Sequence, residues 1–197
     1  MTVNNAPLKW AQEGRVWSAG IGVLTTPESL AATDLVRQTP AFFLRVPAGR
    51  IVVPIMVQIV LEATGAAVFQ ALVSNSNNDC GTGNSVAATP VNVNSRYATV
   101  TSSVTAYGTN TGSTGTAPTG VSDLWRIYQQ VDNDAITGGQ TRPFTYDPFR
   151  GEGQHAITGL SAGISSFLVY AANGTSSTAF IVATWAEWGY DDFYGLA

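Results

Sequence analysis

Residues that could do chemistry are few in this chain, and they are scattered. His155 is the only histidine, set in Gly151-Glu152-Gly153-Gln154-His155. A nucleophile–base–acid triad needs such a base beside a nucleophile. No nucleophile-elbow motif surrounds this one, so a hydrogen-bonded loop histidine is the expectation. Cys80 is the only cysteine, which leaves no intrachain disulfide, and one Cys and one His far apart do not make a zinc site. Asp132-Asn133-Asp134 and Asp191-Asp192 have the ligand types calcium takes, but neither runs on into a loop such as that of the EF-hand. The preference of Asp and Asn for turns explains both. Glycoside hydrolysis needs two carboxylates at a defined separation. Of the 13 acids, Glu62, Asp123, Asp147, Glu152 and Glu187 are candidates, and nothing in their spacing favours a pair. No phosphate-binding loop or dinucleotide fingerprint is present. The expectation is a protein that is not an enzyme and uses no metal or cofactor.

Aromatic residues are the remaining candidates. Trp10, Trp17, Trp125, Trp185 and Trp188, with Tyr190, Phe193 and Tyr194, suit two roles. Flat rings can stack on sugars, which would make a carbohydrate- or receptor-binding module such as a phage tail component. Alternatively Trp125 and Trp185 fill a core while the terminal aromatics anchor arms on a neighbouring subunit, since aromatics dominate the energetics of cores and interfaces. The second reading is preferred, and it places an interface on Trp10, Trp17, Trp188, Tyr190, Phe193 and Tyr194. The competing possibility is that both arms fold back on their own domain.

Composition favours packing over catalysis. Of the 197 residues, 45% are hydrophobic and only 11% are charged, against roughly 25% charged in an average soluble protein. Ser, Thr, Asn, Gln and Gly must therefore supply most of the polar exterior. Lys9 is the only lysine; the other basic residues are arginines. Interfaces deplete lysine and enrich arginine and aromatics. The formal net charge is −4, with no basic run or stripe to hold a phosphate backbone, so direct nucleic-acid binding is not expected. Residues 1–7 lack the basic and apolar regions of a signal peptide. The most apolar run, 51–61, is broken by Pro54 and Gln58 and falls short of the ~20 residues of a spanning helix. A soluble protein is expected.

The elements that must position these residues read as strands. Short runs rich in Val, Ile, Thr and aromatics recur between Gly, Pro, Asn and Ser clusters. They fall near 15–19, 41–46, 51–63, 66–74, 96–107, 124–131, 144–149, 166–171 and 178–188. The predicted fold is all-β: a single jelly-roll-like antiparallel sandwich of about eight strands. It occupies 15–188, with extended arms at 1–14 and 189–197. One short helix is predicted over 27–36, with Thr26 as cap and Pro27 in the first turn; an irregular connection is the alternative. Hairpins are expected where 51–63 meets 66–74 at Thr64-Gly65 and where 166–171 meets 178–188 through Asn173-Gly174. Pro54 cannot donate to a ladder and predicts an edge or a bulge. In the last strand, Ile181, Ala183 and Trp185 share one face and Phe180, Val182, Thr184 and Ala186 the other. Strands apolar on both faces are normally covered on both sides, by an arm, a loop or another subunit. The stretches 75–94 and 108–120 read as surface loops.

Two passages carry a resemblance. One is Pro40-Ala41-Phe42-Phe43-Leu44-Arg45-Val46-Pro47-Ala48-Gly49-Arg50-Ile51-Val52-Val53-Pro54-Ile55. The other is Phe167-Leu168-Val169-Tyr170-Ala171-Ala172 together with Ala179-Phe180-Ile181-Val182-Ala183-Thr184-Trp185-Ala186-Glu187-Trp188. Together, over about half the chain, they resemble small β-rich virion proteins of tailed bacteriophages and related environmental viruses, of the decoration or minor head type. The resemblance implies a jelly-roll fold and a homotrimer or other symmetric oligomer. It also implies a major capsid protein as partner and a place in the virion after assembly in the host cytoplasm. It carries over no catalytic residue.

Overall fold

The computed structural model of the chain describes residues 6–22, 26–30, 34–63, 67–108, 115–131, 143–150, 157–158, 164–173 and 178–195. Two antiparallel sheets face one another. The larger holds β1 (Val16–Ile21), β2 (Glu28–Ser29), β4 (Arg50–Ala63), β7 (Val91–Asn92), β10 (Phe144–Tyr146), β11 (Ile157–Thr158) and β13 (Thr178–Gly189). Its order is β10-β4-β13-β1-β7, with β11 beside β4 and β2 beside β13. The smaller holds β3 (Phe42–Val46), β5 (Ala67–Ser76), β6 (Val86–Ala88), β8 (Thr105–Gly108), β9 (Ser122–Val131) and β12 (Ser165–Asn173), in the order β6-β8-β3-β12-β5-β9. The predicted all-β sandwich is therefore present.

Alternation along the strands builds the core. Val57, Ile59 and Leu61 of β4 and Ile181, Ala183 and Trp185 of β13 point inward. They meet Phe42 and Leu44 of β3, Phe69, Ala71 and Val73 of β5, and Phe167 and Val169 of β12. Each fully buried large side chain contributes roughly 1.5–3 kcal/mol from leaving water. Pro54 sits at a bulge: Thr184 and Trp185 face Met56 and Pro54 across a register shift, and on its other side Pro54 lies between the residues of β4 that pair with β11 (51–52) and with β10 (57–59). The extra residue reverses the alternation of β4. Val52 therefore joins the core while Ile51 and Val53 turn outward.

Both expected hairpins are corrected. β4 lies in the larger sheet and β5 in the smaller, and β12 and β13 are divided in the same way. The chain passes from one sheet to the other at each reversal, although residues 64–66 and 174–177 themselves lie outside the described residues. A turn after a long apolar strand signals reversal only. Which strand it then pairs with depends on partners far away in sequence, here β13 for β4 and β12 for β5.

Other elements differ in detail. Within the predicted helix over 27–36, Glu28 and Ser29 form β2 on Ala179 and Thr178. The predicted strand 96–107 survives only as β8. Upstream of it, Asn94 accepts the Arg96 amide at 3.0 Å and turns Ser95–Tyr97 into a 3-10 helix. Strand 144–149 ends at Tyr146, because Asp147 accepts the Phe149 amide at 3.0 Å and starts a second 3-10 turn, Pro148–Arg150. The arms are not extended: Ala6–Gln12 is a helix, α1, and Tyr190–Tyr194 a short one, α2.

Candidate functional site

Part of the outer face of the smaller sheet is covered by its own chain, while Tyr128 on β9 stays exposed. Phe43, Leu72, Leu168 and Tyr170 pack with Cys80, Leu35 and Tyr107. Two loops are fastened over them by charge. Arg37 makes a two-pronged pair with Asp123 at 2.8 and 3.3 Å, and its carbonyl accepts the Tyr170 hydroxyl at 2.9 Å. Arg45 grips both oxygens of Asp79, which also accepts the Gly81 amide at 2.8 Å. The Arg45 hydrogen bond holds the Asp79 carboxyl below its usual range, and burial pushes the Tyr170 phenol up. Cys80 is a free thiol in the loop after β5, buried among these side chains.

On the larger sheet the outer face divides in two. One half carries Val16, Ile51, Val53, Ala186 and Trp188, roofed by α1, α2 and the turn at Phe149. Trp10 meets Trp188 edge-on at 4.8 Å and Phe149 at 5.8 Å, and Phe193 closes on Trp188 at 5.4 Å. These terminal aromatics clamp the two chain ends onto their own domain. Within one chain this is the alternative named above, both arms folding back on their own domain.

The residues expected at an interface therefore separate. Trp17 is 4% exposed and belongs to the core between the sheets. Trp10, Trp188 and Phe193 form the roof. Tyr190 and Tyr194 remain exposed, their rings 4.8 Å apart. Trp185 is a core residue, as expected, and Trp125 packs partly buried against the same core.

In the other half of that face the register places the residues in rows. One row runs Val91, Ser18, Thr184, Met56 across β7, β1, β13 and β4. The next runs Gly20, Val182, Gln58, Thr145 across β1, β13, β4 and β10. Phe180 beside Val60 begins a third. None of these ten positions is charged. Val91 is 58% and Val182 38% exposed, Gly20 is exposed, and the other seven are half-buried. In the sequence Phe180, Val182 and Thr184 were legible as a second apolar face; Val91, Ser18 and Thr145 were not, because they join it only through distant pairing.

The rim of this face is held by buried polar groups. Asn92, 5% exposed, donates to the Gly14 carbonyl at 2.6 Å. Asn94 donates to the Ala11 carbonyl at 3.0 Å. Glu187, 8% exposed, accepts from the Trp185 indole at 2.8 Å, the Ser103 amide at 3.1 Å and the Ser102 hydroxyl. Together they pin the segment 92–104 to the edge of β1 and the end of α1. Of the acids considered for an enzyme, Glu187 is thus structural, Asp123 is paired to arginine and Asp147 caps a turn. The Glu62 side chain, Glu152, His155 and Asp132-Asn133-Asp134 lie outside the described residues. Among the described residues, no three or more His, Cys, Asp or Glu gather where they could hold a metal, and no helix is long and apolar enough to cross a membrane.

No protein-family model matches the chain, and no curated protein sequence matches it either.

Proposed function

We propose that this chain is a non-enzymatic structural protein of a virus particle, a jelly-roll subunit that decorates or cements a phage capsid by packing against its neighbours. The observation that carries this reading is the other half of the larger sheet's outer face: its rows are uncharged and partly apolar, with Val91 and Val182 exposed, beside a half that the chain covers for itself. Removing apolar area from water contributes about 25 cal/mol per Å², less the cost of association, and repetition over many copies multiplies a weak contact into avidity.

Strand order supports the fold half of the proposal. With β1, β3, β4, β5, β9, β10, β12 and β13 taken in turn as strands one to eight, the sheets read 1-8-3-6 and 2-7-4-5. This is the order left when an antiparallel ribbon is wound around a sandwich as a jelly roll. The fold by itself names no function, so the weight rests on the face. The test is peptide mass spectrometry of gradient-purified particles from the virus or host that carries the gene. The chain is expected at a fixed, high copy number relative to the major capsid protein. Its absence from intact particles would overturn the proposal.

A further inference from the structure

We infer that the cleft between β1, β2 and β6 takes an extended peptide segment of a partner protein, which adds to the open edge of β1 and sets a basic side chain beside Glu28. The inference rests on the cleft alone: presence or absence of the chain in particles leaves it standing.

The cleft has a volume of about 240 Å³ and lies where an edge of each sheet meets the other. Gly20 of β1, Glu28 of β2, Ala87 and Ala88 of β6 and Gly108 of β8 line it. Close strand packing keeps side chains out. A Cβ on Gly108 would lie 2.3 Å from Ile21 Cγ2, and one on Gly20 would lie 2.7 Å from the Ile181 carbonyl oxygen. At these two positions the lining is therefore backbone. The Gly20 backbone is also open. β7 covers β1 only at Trp17 and Ser18, and across that edge the Val93 amide donates to the Val16 carbonyl at 3.0 Å. Backbone groups on an antiparallel strand face its two neighbours alternately, so those of Ser18 and Gly20 face the same side as those of Val16. Pro90, just before β7, has no N–H with which to carry the ladder on. Among the described residues nothing pairs with Gly20 on that side, and Gly20 is exposed.

β6 gives a second open edge, since it is the outermost strand of the smaller sheet among the described residues. Such edges are met by the main chain of an added strand, which supplies amide and carbonyl groups in turn. Charge then selects within that class. Glu28 is the only charged residue lining the cleft, and among the described residues it enters no ion pair. With a formal net charge of −4 on the chain, complementarity favours a segment that carries lysine or arginine. Strand and sheet spacings allot each residue of an added strand on the order of 150 Å³, so the cleft seats about two residues. Binding is therefore weak, with a Kd on the order of 1 mM.

The test is a titration of the isotope-labelled full chain, followed by its amide chemical shifts. The ligand is a blocked peptide of about seven residues, Thr and Val alternating around one central Lys, chosen for its extended backbone. Saturable shifts are expected at Gly20, Ala87 and Ala88. The same peptide N-methylated at alternate residues loses donors of the ladder, and is expected to leave these amides unshifted up to about ten times that Kd. Glu28→Gln, with its melting transition unchanged, is expected to weaken the unmethylated peptide roughly threefold. The inference is overturned by a Gly20 amide that does not shift, by a methylated peptide that binds as well, or by an affinity that Glu28→Gln leaves unchanged. Butylammonium chloride that reproduces the same shifts at the same affinity overturns it too, because the cleft would then read a cation and not a strand.

Discussion

The indole N–H of Trp185 donates to Glu187 Oε1 at 2.8 Å, two residues along the same face of β13. One carboxylate thereby joins the innermost tryptophan of the core to the loop that frames the candidate face. Replacing Glu187 by Ala strands the indole, the Ser103 amide and the Ser102 hydroxyl, and each buried donor left unmade costs about 1–3 kcal/mol. The expected loss is roughly 3 kcal/mol in urea unfolding with the m-value unchanged, together with faster hydrogen exchange at the Ser103 amide. Glu187→Gln keeps one acceptor oxygen and is expected to lose about half as much. Wild-type stability in the alanine variant would contradict the role given to this group.

The aromatic roof makes a different prediction. Because Trp10 packs on Trp188 and Phe149 of its own domain, Trp10→Ala should destabilise the isolated chain by about 2 kcal/mol, less than the 3–5 kcal/mol of a fully buried tryptophan. The expected signature is a lower melting temperature and release of α1, seen as amide exchange across 6–12. If assembly fails while the melting temperature is unchanged, these rings face a neighbour after all.

Much of the strand content was legible in the sequence, and the pairing was not. The runs at Phe42–Val46 and Thr178–Gly189 declare themselves through β-branched and aromatic residues, and Pro54 announced an edge or a bulge, of which the bulge is present. The partner of β4 is set by β13, more than a hundred residues later, and no local signal carries that. The turns at Thr64-Gly65 and Asn173-Gly174 look alike whether the chain returns in its own sheet or crosses to the other. Of the site, Phe180, Val182 and Thr184 could be read as an outward apolar face. The roof entered only as the competing possibility that both arms fold back, and its short helices were not legible, because they are fixed by Trp10 and Phe193 packing on Trp188 and not by helical periodicity.

Alkaline stability should report on Tyr170. Its phenol is buried and its pKa is raised, whereas an unfolded chain ionises tyrosine near pH 10. Above that pH the unfolded state binds fewer protons than the folded one, so stability falls as pH rises; below it the contribution is fully present. Urea midpoints measured from pH 8 upward are expected to decline more steeply for the wild type than for Tyr170→Phe. Parallel slopes would show that this hydroxyl does not stay protonated in the fold.

Met56 offers the most direct test of the central claim, that the uncharged rows of the larger sheet are a contact surface. It is the only methionine besides Met1, and it lies in the row with Thr184 and Ser18. Peroxide converts an accessible thioether to the sulfoxide, so peptide mass spectrometry can follow this one side chain in the dilute chain and in purified particles that contain it. The expected result is ready oxidation in the dilute chain and a rate lower by roughly an order of magnitude in particles, where access requires local opening. Equal rates in the two states would contradict the claim.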